Sequence, residues 1–596
     1  ITYTVTASAS STSATTLTYS VVGDDLNGSA TKASNSDIVS LSGTVTIAAG
    51  ETSATFDITP NTDTDNEGLE GIKVSLLDSS NALIGSHTAS VTNTASTAST
   101  TTNLTTGVDT VAAGDGDNIV GGTVTGAGAT GSTAQPGDVI DGGAGTDVFK
   151  LSIAGDLTAN IDHTISGIEL IGVEEVSVNN FQVTDGATSF HTVDLALGSS
   201  VTTIGVNSSS AGGFTKFTNM TGIPTLNAKS GHGNITVDNV AAAVAGTADV
   251  QQVNLFNYGD GAGASGTITL DNVEVINVDV QGVNLFAALT AAKALTYTFT
   301  GNGYYYGVAD VASTVYSIDA SQTAGLGINV GVSPVTATYA VTMTGGAGPD
   351  QLVIGSDWSK YITFDGGAGV DTLSISDVTD ISSTSTGGLS NVERVKITAN
   401  SASALDLQWL PEITTVISSA ASAGNAVTIS NMTDSNSTVI VTGSTTSTEG
   451  IIGTRTIDGD ADSVDLTIGQ ATVNGQTFVA LDFADAETLN VTVNQSANGA
   501  TATATSIGGT DLQTLTVSGA GKLTITAFSG ATLMTLIDAS ASTGGLVMPA
   551  TNPSATYGVT IKGSSKADTL EGGTSAAYGD TIHGNGGNDT IQGGAG

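Results

Sequence analysis

The strongest constraint on the fold of this chain is a glycine-rich sequence that recurs three times. It reads Gly-Gly-Ala-Gly-Thr-Asp-Val-Phe at 142–149, Gly-Gly-Ala-Gly-Val-Asp-Thr-Leu at 366–373 and Gly-Asn-Gly-Gly-Asn-Asp-Thr-Ile at 584–591. Glycine readily takes the positive φ angles of tight turns, and the large apolar residue that ends each copy is of the type that short strands bury. The pattern therefore predicts tight turns, each followed by a strand with an inward-facing side chain.

The spacing of apolar residues around the copies strengthens this prediction, since one copy alone would be weak evidence in a chain with 77 glycines. Around the second and third copies the apolar residues step by 12 and then by 9 positions: Leu352, Phe364, Leu373, and Leu570, Ile582, Ile591. The first copy has the 9-residue step, from Ile140 to Phe149. We predict that each trio stacks in one inward row.

The sequence between the copies also repeats. Asp371 follows Asp147 by 224 residues, and Asp589 follows Asp371 by 218. Ile-Asp-Ala-Ser at 318–321 returns at 537–540. The chain therefore contains two tandem copies of one large unit, and a third copy begins near its end. The predicted boundaries are 107–345 for the first unit, 346–563 for the second and 564–596 for the truncated third.

The three turns carry oxygen ligands of the kind that Ca²⁺ binds. Turn carbonyls and Asp carboxylates are hard donors, which suit this ion. The nonapeptide G-G-x-G-x-D-x-U-x, in which U is a large apolar residue, resembles the calcium β-roll of repeats-in-toxin (RTX) proteins. The resemblance implies Ca²⁺ as the cofactor. The candidate metal ligands in and beside the turns are Asp117, Asp138, Asp141, Gly143, Gly145, Asp147, Asp350, Asp365, Gly367, Gly369, Asp371, Asp568, Asp580, Gly584, Gly587 and Asp589.

Residues 1–94 form a separate predicted domain. Alternating apolar and polar residues predict half-buried strands, and 46–58 predicts a hairpin. The order of these segments resembles the Calx-β domain, an antiparallel immunoglobulin-like sandwich with acidic loops. The resemblance implies Ca²⁺ ligands here, and a solvated acidic turn is the alternative; the residues concerned are Asp63, Asp65, Glu67 and Glu70. Residues 95–106 are mostly Thr, Ser and Ala, which predicts a linker.

The remainder of the chain predicts an all-β fold. From about 107 to 563, short strands rich in Val, Ile, Thr and Leu alternate with Gly, Asn, Ser or Asp turns, and helix signals are weak. We favour a parallel β-solenoid, because the apolar rows need a neighbouring coil against which to stack. Tandem antiparallel β-sandwiches are the alternative.

The charge balance excludes several classes of partner. The chain has 13 basic and 55 acidic residues, a net charge of −42, which disfavours nucleic acid and anionic membrane surfaces. No apolar run reaches the roughly 18 residues of a membrane span. The absence of Cys excludes disulfides and thiolate zinc sites. The chain does not begin with Met and stops within a further glycine-rich segment, so we interpret it as an excerpt or a processed product.

The sequence contains no motif that predicts catalysis, and we expect the protein not to be an enzyme. None of the five histidines is followed by Glu, as an H-E-x-x-H zinc helix requires, and there is no G-x-S-x-G nucleophile elbow. Four glutamates recur near strand starts: Glu169, Glu274, Glu393 and Glu487. Catalytic carboxylates are one interpretation, and the favoured interpretation is a strand-edge ladder or a repeated calcium ligand.

The combination of a Cys-free, acidic, all-β chain with tandem units and calcium turns resembles RTX-class bacterial S-layer proteins and large secreted adhesins. The resemblance implies an extracellular protein of the bacterial cell surface, exported by type I secretion. Its partners would be other copies of itself in a lattice or filament, with no nucleic acid and no membrane insertion. A modular adhesin that binds host cells or cell-surface polysaccharide is the alternative.

Overall fold

A computed structural model describes most of the chain. The described residues are 1–24, 31–32, 41–59, 68–78, 80, 82–93, 99–125, 131–154, 163–182, 190–259, 266–325, 327–332, 340–354, 361–376, 378, 381, 388–398, 404–419, 426–442, 448–473, 475–495, 500–548, 556–573, 575 and 577–595. The chain divides into two compact units, the first built from 1–156, 163–179 and 193–205 and the second mainly from 206–596.

The beginning of the first unit is made of antiparallel strands. They are β1 (Thr2–Thr6), β2 (Thr15–Gly23), β3 (Thr31–Lys32), β4 (Ser42–Ile47), β5 (Ser53–Asp57), β6 (Gly68–Leu77) and β7 (Leu83–Asn93). β2 pairs with β4 and β6, β6 with β7, and β1 with β5, all antiparallel, whereas β3 pairs parallel to β6. Their core holds Tyr19, Val21, Ile58, Ile72 and Val74. An antiparallel N-terminal β-region is therefore present.

The rest of the described chain is a parallel β-solenoid of about 15 turns. Its first strands are β8 (Thr101–Asn103), β9 (Thr110–Ala112), β10 (Ile119–Val124), β11 (Val139–Asp141), β12 (Val148–Ile153), β13 (His163–Ile165), β14 (Glu169–Ile171), β15 (Glu175–Asn180), β16 (His191–Asp194) and β17 (Thr203–Ser209). Within the first unit, β8, β10 and β12 pair in parallel, as do β9, β11 and β14. β8 lies inside the range that the sequence predicts as a linker.

The second unit continues with strands of similar length. They are β18 (Thr215–Met220), β19 (Thr225–Lys229), β20 (Ile235–Asn239), β21 (Val250–Phe256), β22 (Thr267–Leu270), β23 (Val275–Gln281), β24 (Val283–Phe286), β25 (Ala288–Ala291), β26 (Thr296–Gly301), β27 (Tyr304–Val311), β28 (Ser317–Thr323), β29 (Gly327–Val332), β30 (Val341–Thr344), β31 (Gln351–Ile354), β32 (Ile362–Asp365), β33 (Thr372–Ile375), β34 (Leu389–Ser390) and β35 (Arg394–Ile397).

The later strands follow in the same manner. They are β36 (Ala404–Asp406), β37 (Thr415–Ser418), β38 (Ala426–Met432), β39 (Thr438–Val441), β40 (Thr448–Arg455), β41 (Ser463–Ile468), β42 (Gln476–Phe483), β43 (Thr488–Val493), β44 (Thr501–Ala504), β45 (Ile507–Gly508), β46 (Thr514–Gly519), β47 (Lys522–Ile525), β48 (Phe528–Ser529), β49 (Leu536–Ser542), β50 (Leu546–Val547), β51 (Thr560–Lys562), β52 (Thr569–Glu571), β53 (Thr581–His583) and β54 (Thr590–Gln592). Two 3₁₀ turns, Leu407–Trp409 and Asp434–Asn436, are the helical segments of the described residues.

Alternation along each strand places its apolar residues in the core. In β23, for example, Ile276, Val278 and Val280 are buried and their neighbours are half-buried. Partner residues in successive coils then form continuous rows, because parallel pairing aligns identical positions. One row runs through Val330, Leu352, Leu373, Val395, Val416, Val439, Leu466 and Val491. The parallel solenoid is confirmed, and the alternative of tandem antiparallel sandwiches is wrong for this region.

The predicted apolar trios do not each form a single row. Leu352 pairs with Leu373, but Phe364 lies in another sheet, where it pairs with Met343. Likewise Leu570 pairs with Ile591, whereas Ile582 pairs with Ile561. The reason is that steps of 12 and 9 residues together make one coil of two strands, so alternate apolar residues belong to opposite sheets.

Three sheets of the second unit determine where the glycine turns lie. The front sheet contains β28, β30, β32 and β34, and the back sheet contains β29, β31, β33 and later strands through β53. A third sheet, from β36 to β54, replaces the front sheet, since strands alternate between back and third sheets from β35 onward. Turn 366–371 therefore leads from the front sheet into the back sheet, and turn 584–589 leads from the back sheet into the third sheet. The two copies of the motif lie on opposite edges of the coil.

Candidate metal-binding turns

The three predicted turns share one backbone conformation. The second and fourth residues of each have positive φ: Gly143 (87°) and Gly145 (134°), Gly367 (86°) and Gly369 (138°), and Asn585 (64°) and Gly587 (116°). Glycine or asparagine is expected there, because a left-handed conformation strains most other residues. We call 142–147, 366–371 and 584–589 the open turns.

The Asp that ends each open turn is fixed by the preceding coil. Oδ1 of Asp371 accepts the backbone N–H of Asp350 at 2.6 Å, and Oδ1 of Asp147 accepts that of Asn118 at 2.7 Å. Asp589 accepts the backbone N–H of Asp568 in the same way, at 3.0 Å. These bonds fix the position of one carboxylate oxygen. The position of the second oxygen then follows from the geometry of the carboxylate group.

The second carboxylate oxygen has no hydrogen-bond partner in two open turns. Oδ2 of Asp147 and Oδ2 of Asp371 are buried and unpaired, and the two residues are 2% and 0% exposed. Burial raises the pKa of Asp371 to about 7, and the nearby carboxylates of Asp350, Glu393 and Asp365 contribute to this rise. A buried oxygen of this kind is costly unless a proton or cation neutralises it.

The first glycine of each open turn creates the space beside this oxygen. A Cβ added to Gly366 would lie 2.7 Å from Oδ2 of Asp371 and against the carbonyl oxygen of Asn391. A Cβ on Gly142 would likewise lie 2.7 Å from Oδ2 of Asp147 and against the Gly172 carbonyl. A carboxylate oxygen and a carbonyl oxygen from the next coil therefore border the same small space, which only glycine leaves free.

Two further turns are built differently, and we call them the closed turns. They are 345–350 and 563–568, in which no residue has positive φ. Both oxygens of Asp350 accept backbone N–H groups, from Ile328 at 2.6 Å and from Gly346 at 2.7 Å. Asp568 likewise accepts N–H groups from Leu546 and Ser564, both at 2.6 Å. These carboxylates cap the backbone.

The remaining predicted ligands near the turns also hold backbone amides. Asp141 and Asp365 accept the N–H of the second turn residue, at 3.1 and 3.2 Å, and Asp117 accepts that of Thr146 at 2.8 Å. Asp138 and Asp580 lie one strand away from the open turns, and both oxygens of each accept backbone N–H groups. The structure therefore places Asp365 directly before the open turn that Asp371 ends, whereas Asp138 and Asp580 lie elsewhere.

Three of the recurring glutamates cap a backbone N–H group of the preceding coil. Oε2 of Glu393 accepts the N–H of Asp371 at 2.8 Å, and the same contact joins Glu274 to Asp249 and Glu487 to Asp462. They act at the starts of strands, as predicted, but they lie several coils apart and do not form a continuous ladder. Glu169 is an exposed residue of β14, and Glu174 takes the capping position by accepting the N–H of Asp147 at 2.8 Å.

Two parts of the site, Glu174 and the turn at 345–350, are not among the features predicted from the sequence. Glu174 follows Asp147 by 27 residues, just as Glu393 follows Asp371 by 22, so the interval is one coil. The segment 345–350 reads Gly-Gly-Ala-Gly-Pro-Asp and fits the same pattern as the three copies. The interval of one coil between an Asp and its capping Glu is the signal for Glu174. The repeated glycine pattern is the signal for the turn at 345–350.

The acidic residues predicted as ligands in the N-terminal domain are described only at the backbone of one of the four. Asp63, Asp65 and Glu67 lie outside the described residues. Glu70 is part of β6, where its backbone pairs with Val91 and Thr31. Their calcium binding stays a prediction.

The donor set of the open turns fits a hard cation. It consists of oxygen atoms alone, the preference of Ca²⁺. Within the described ranges, no group of three or more His, Asp or Glu side chains converges as a metal site. An ion in an open turn would therefore be held by the single carboxylate oxygen of Asp147 or Asp371 together with turn carbonyls.

No family model matches this chain, and no curated protein is similar enough to match. Functional inference therefore rests on the fold and on the open turns. Among the described residues, no helix has the length and apolar character needed to cross a lipid bilayer.

Proposed function

We propose that this protein is a calcium-dependent, self-assembling extracellular structural protein, a subunit of a bacterial surface layer or surface filament. Three features support the proposal: a parallel solenoid of about 15 turns, a net charge of −42, and glycine turns with oxygen-only donor sets. The N-terminal antiparallel strands would form a Calx-β-like, immunoglobulin-like sandwich at one end of the chain.

The observation that carries the proposal is the unpaired, buried Oδ2 of Asp147 and of Asp371. Elsewhere in the same coils, carboxylates of equal burial are satisfied by backbone N–H groups, as for Asp350 and Asp568. The open turns lack such a donor. A bound Ca²⁺ would supply the missing positive charge and join two successive coils, which stabilises their stacking.

Calcium binding in the turns would also explain how such a chain is exported and folded. In the bacterial cytosol Ca²⁺ is scarce, so the carboxylates of Asp350, Asp365 and Asp371 would repel one another and oppose folding. Outside the cell, Ca²⁺ at millimolar levels would complete the turns. This behaviour suits type I secretion, which passes unfolded chains directly to the cell surface.

Assembly must overcome the repulsion between strongly acidic copies. Bringing such surfaces together costs Coulomb energy unless the charge is screened or bridged. We propose that Ca²⁺ bridges carboxylates of neighbouring copies after the turns within each copy are filled. Because turns 366–371 and 584–589 lie on opposite edges of the coil, the half-buried acids Asp365 and Asp589 would face lateral neighbours on both edges of the solenoid.

The test is a Ca²⁺ titration of the purified protein that follows folding and assembly in the same samples. Circular dichroism reports the β-signal, light scattering reports assembly, and electron microscopy shows whether the product is a lattice or a filament. We expect a folding midpoint at lower Ca²⁺ than the assembly midpoint. Assembly in NaCl with a chelator present, or an irregular aggregate as the end product, would contradict the proposal.

A modular adhesin is the second candidate, and one surface feature favours it. The rings of Tyr557 and Tyr578 lie 6.1 Å apart on successive coils, and both residues are about half exposed. Adjacent exposed aromatic rings are suited to stacking against sugars. Binding of cell-surface polysaccharide by the monomeric protein, lost in Tyr557→Ala and retained in Tyr316→Ala, would favour this function over the structural one.

A further inference from the structure

One turn of the solenoid has the open-turn backbone but carries an amide where the open turns carry a carboxylate. It comprises residues 113–118 and stacks directly on turn 142–147, since the N–H of Gly116 donates to the carbonyl of Ala144 at 2.6 Å. Gly114 and Gly116 have φ of 83° and 109°, matching the left-handed positions of the open turns. Asn118 therefore occupies the position of Asp147 and Asp371.

The Oδ1 atom of Asn118 makes the contact that Oδ1 makes in the open turns. It accepts the backbone N–H of Thr100 at 3.2 Å and the hydroxyl of the same residue at 2.6 Å. In turn 142–147, Oδ1 of Asp147 accepts the backbone N–H of Asn118 at 2.7 Å. The two side chains are thus oriented alike, and Nδ2 of Asn118 corresponds to the unpaired Oδ2 of Asp147.

The Nδ2 atom of Asn118 lies among three carbonyl oxygens. It donates to Gly114 at 3.0 Å and Gly116 at 2.5 Å within its own turn, and to Gly142 of the next coil at 3.1 Å. Asn118 is 1% exposed, so water does not compete for these bonds. The reverse amide orientation would place Oδ1 against three carbonyls, so the hydrogen bonds determine the orientation.

We infer that the amide of Asn118 takes the place of the cation in its turn, so that turn 113–118 is a calcium-independent clasp. The side chain joins three successive coils, through Thr100, its own turn and Gly142, without requiring an ion. The first coils of the solenoid would therefore stay packed on one another when Ca²⁺ is removed, whereas the coils joined at the open turns would be destabilised. The comparison with the open turns rests on the proposed calcium binding; the clasp itself does not.

Exchanging Asn and Asp provides a test with almost no change in side-chain volume. Asn118→Asp places an anionic oxygen against the carbonyls of Gly114, Gly116 and Gly142. In EGTA, hydrogen–deuterium exchange of peptides covering 100–124 in the full chain should then lose protection by about tenfold or more, because a buried polar atom is left unpaired. Ala113 stands where the open turns have their first glycine, so Asn118→Asp alone should not regain protection when Ca²⁺ is added. The double variant Ala113→Gly with Asn118→Asp should regain it, with one more Ca²⁺ bound per chain by equilibrium dialysis.

Two control variants separate the clasp from a general packing defect. Asn118→Ala removes the amide without adding charge, so it should lose protection in EGTA and Ca²⁺ should not restore it. Asp371→Asn is the reverse exchange in an open turn: it should bind one Ca²⁺ fewer and gain protection around 350–375 in EGTA. Wild-type chain in both conditions is the reference.

The outcomes distinguish this inference from the proposed function. Unchanged protection of 100–124 in EGTA for both Asn118 variants would overturn the clasp. Failure of the double variant Ala113→Gly with Asn118→Asp to gain a bound Ca²⁺, while the wild type binds Ca²⁺ at its open turns, would overturn the equivalence of the turns and leave the proposed function standing. Loss of protection in EGTA with no Ca²⁺ bound by any variant would support the clasp and reject the calcium function.

Discussion

Two turns that lie one coil apart have nearly the same sequence but different hydrogen bonding at the Asp that ends them. Residues 345–350 read Gly-Gly-Ala-Gly-Pro-Asp and residues 366–371 read Gly-Gly-Ala-Gly-Val-Asp. In the first, Gly346 donates its N–H to Oδ2 of the terminal Asp350. In the second, the equivalent Gly367 donates to Asp365, the residue before the turn, and Oδ2 of Asp371 is left unpaired.

The difference shows that glycine content alone does not leave a carboxylate oxygen of the turn unpaired. Asp365 precedes the open turn and captures the amide of Gly367, whereas Thr344 precedes the closed turn and offers no carboxylate. Proline at position 349 also restricts the residue before it to extended conformations, and Gly348 lacks the positive φ that Gly369 has. Because the N–H of Gly367 donates to Asp365, it is not available to Oδ2 of Asp371. A cation would compensate for this missing donor.

Removal of Ca²⁺ is expected to have the largest effect, because it acts on all open turns at once. When the free Ca²⁺ concentration is 100 times the Kd of a site, binding at that site adds about 2.7 kcal/mol to the free energy of unfolding. We therefore expect EGTA to lower the Tm measured by circular dichroism and to reduce the native β-signal. An unchanged Tm and a full β-signal in EGTA would show that the open turns, like the closed turns, are stable without Ca²⁺.

The Asp350→Ala variant should be the most destabilising single change when Ca²⁺ is absent. It leaves the N–H groups of Ile328 and Gly346 buried without an acceptor, at a cost of about 2–4 kcal/mol. Asp371→Ala in EGTA should cost less, since losing the acceptor for Asp350 is partly offset by removing an unpaired anionic oxygen. Denaturant unfolding of both variants checks the order, and a larger loss for Asp371→Ala would contradict the distinction between the turns.

Converting the closed turn into an open one is a sharper test of the same comparison. The double variant Thr344→Asp with Pro349→Val reproduces the residues around the open turn 366–371. We expect it to bind one additional Ca²⁺ per chain and to be less stable than the wild type in EGTA. The single variant Asp365→Thr is the matched control, and it should lose one Ca²⁺. Unchanged stoichiometry in both variants would mean that neighbouring coils, and not these residues, determine the turn type.

The smallest expected effect is a pH dependence of the metal-free chain that arises from Asp371. Its pKa in the folded state is raised to about 7, above its usual value, so protonation favours the fold. The contribution is fully present below the usual pKa of an Asp and is lost as the pH rises through 7. Unfolding in EGTA between pH 4 and 8 should show this loss, and Asp371→Asn should remove it; an equal slope in both would assign the effect to other acids.

Much of the fold follows from local sequence patterns. The glycine spacing indicates where the tight turns lie, although not their φ angles, since 345–350 has the same glycines without positive φ. Alternation of Val, Ile and Thr indicates which residues each strand buries, and parallel coils follow because such rows need apolar neighbours against which to stack. The capping role of Glu274, Glu393 and Glu487 could also be predicted, since a residue type that recurs at the same place before a strand faces the same backbone group each time.

The tertiary structure alone decided which backbone group of the neighbouring coil lies opposite each turn Asp, and which edge each turn occupies. The N–H groups that bind Oδ1 of Asp147, Asp350 and Asp371 lie 21–29 residues away in sequence, in the preceding coil. Because insertions change the length of each coil, a motif cannot indicate which N–H or carbonyl will lie opposite its Asp. The sequence determined where the turns lie and which residues face inward, whereas the stacking register between coils decided which apolar residues share a row and which N–H group holds one oxygen of each turn Asp.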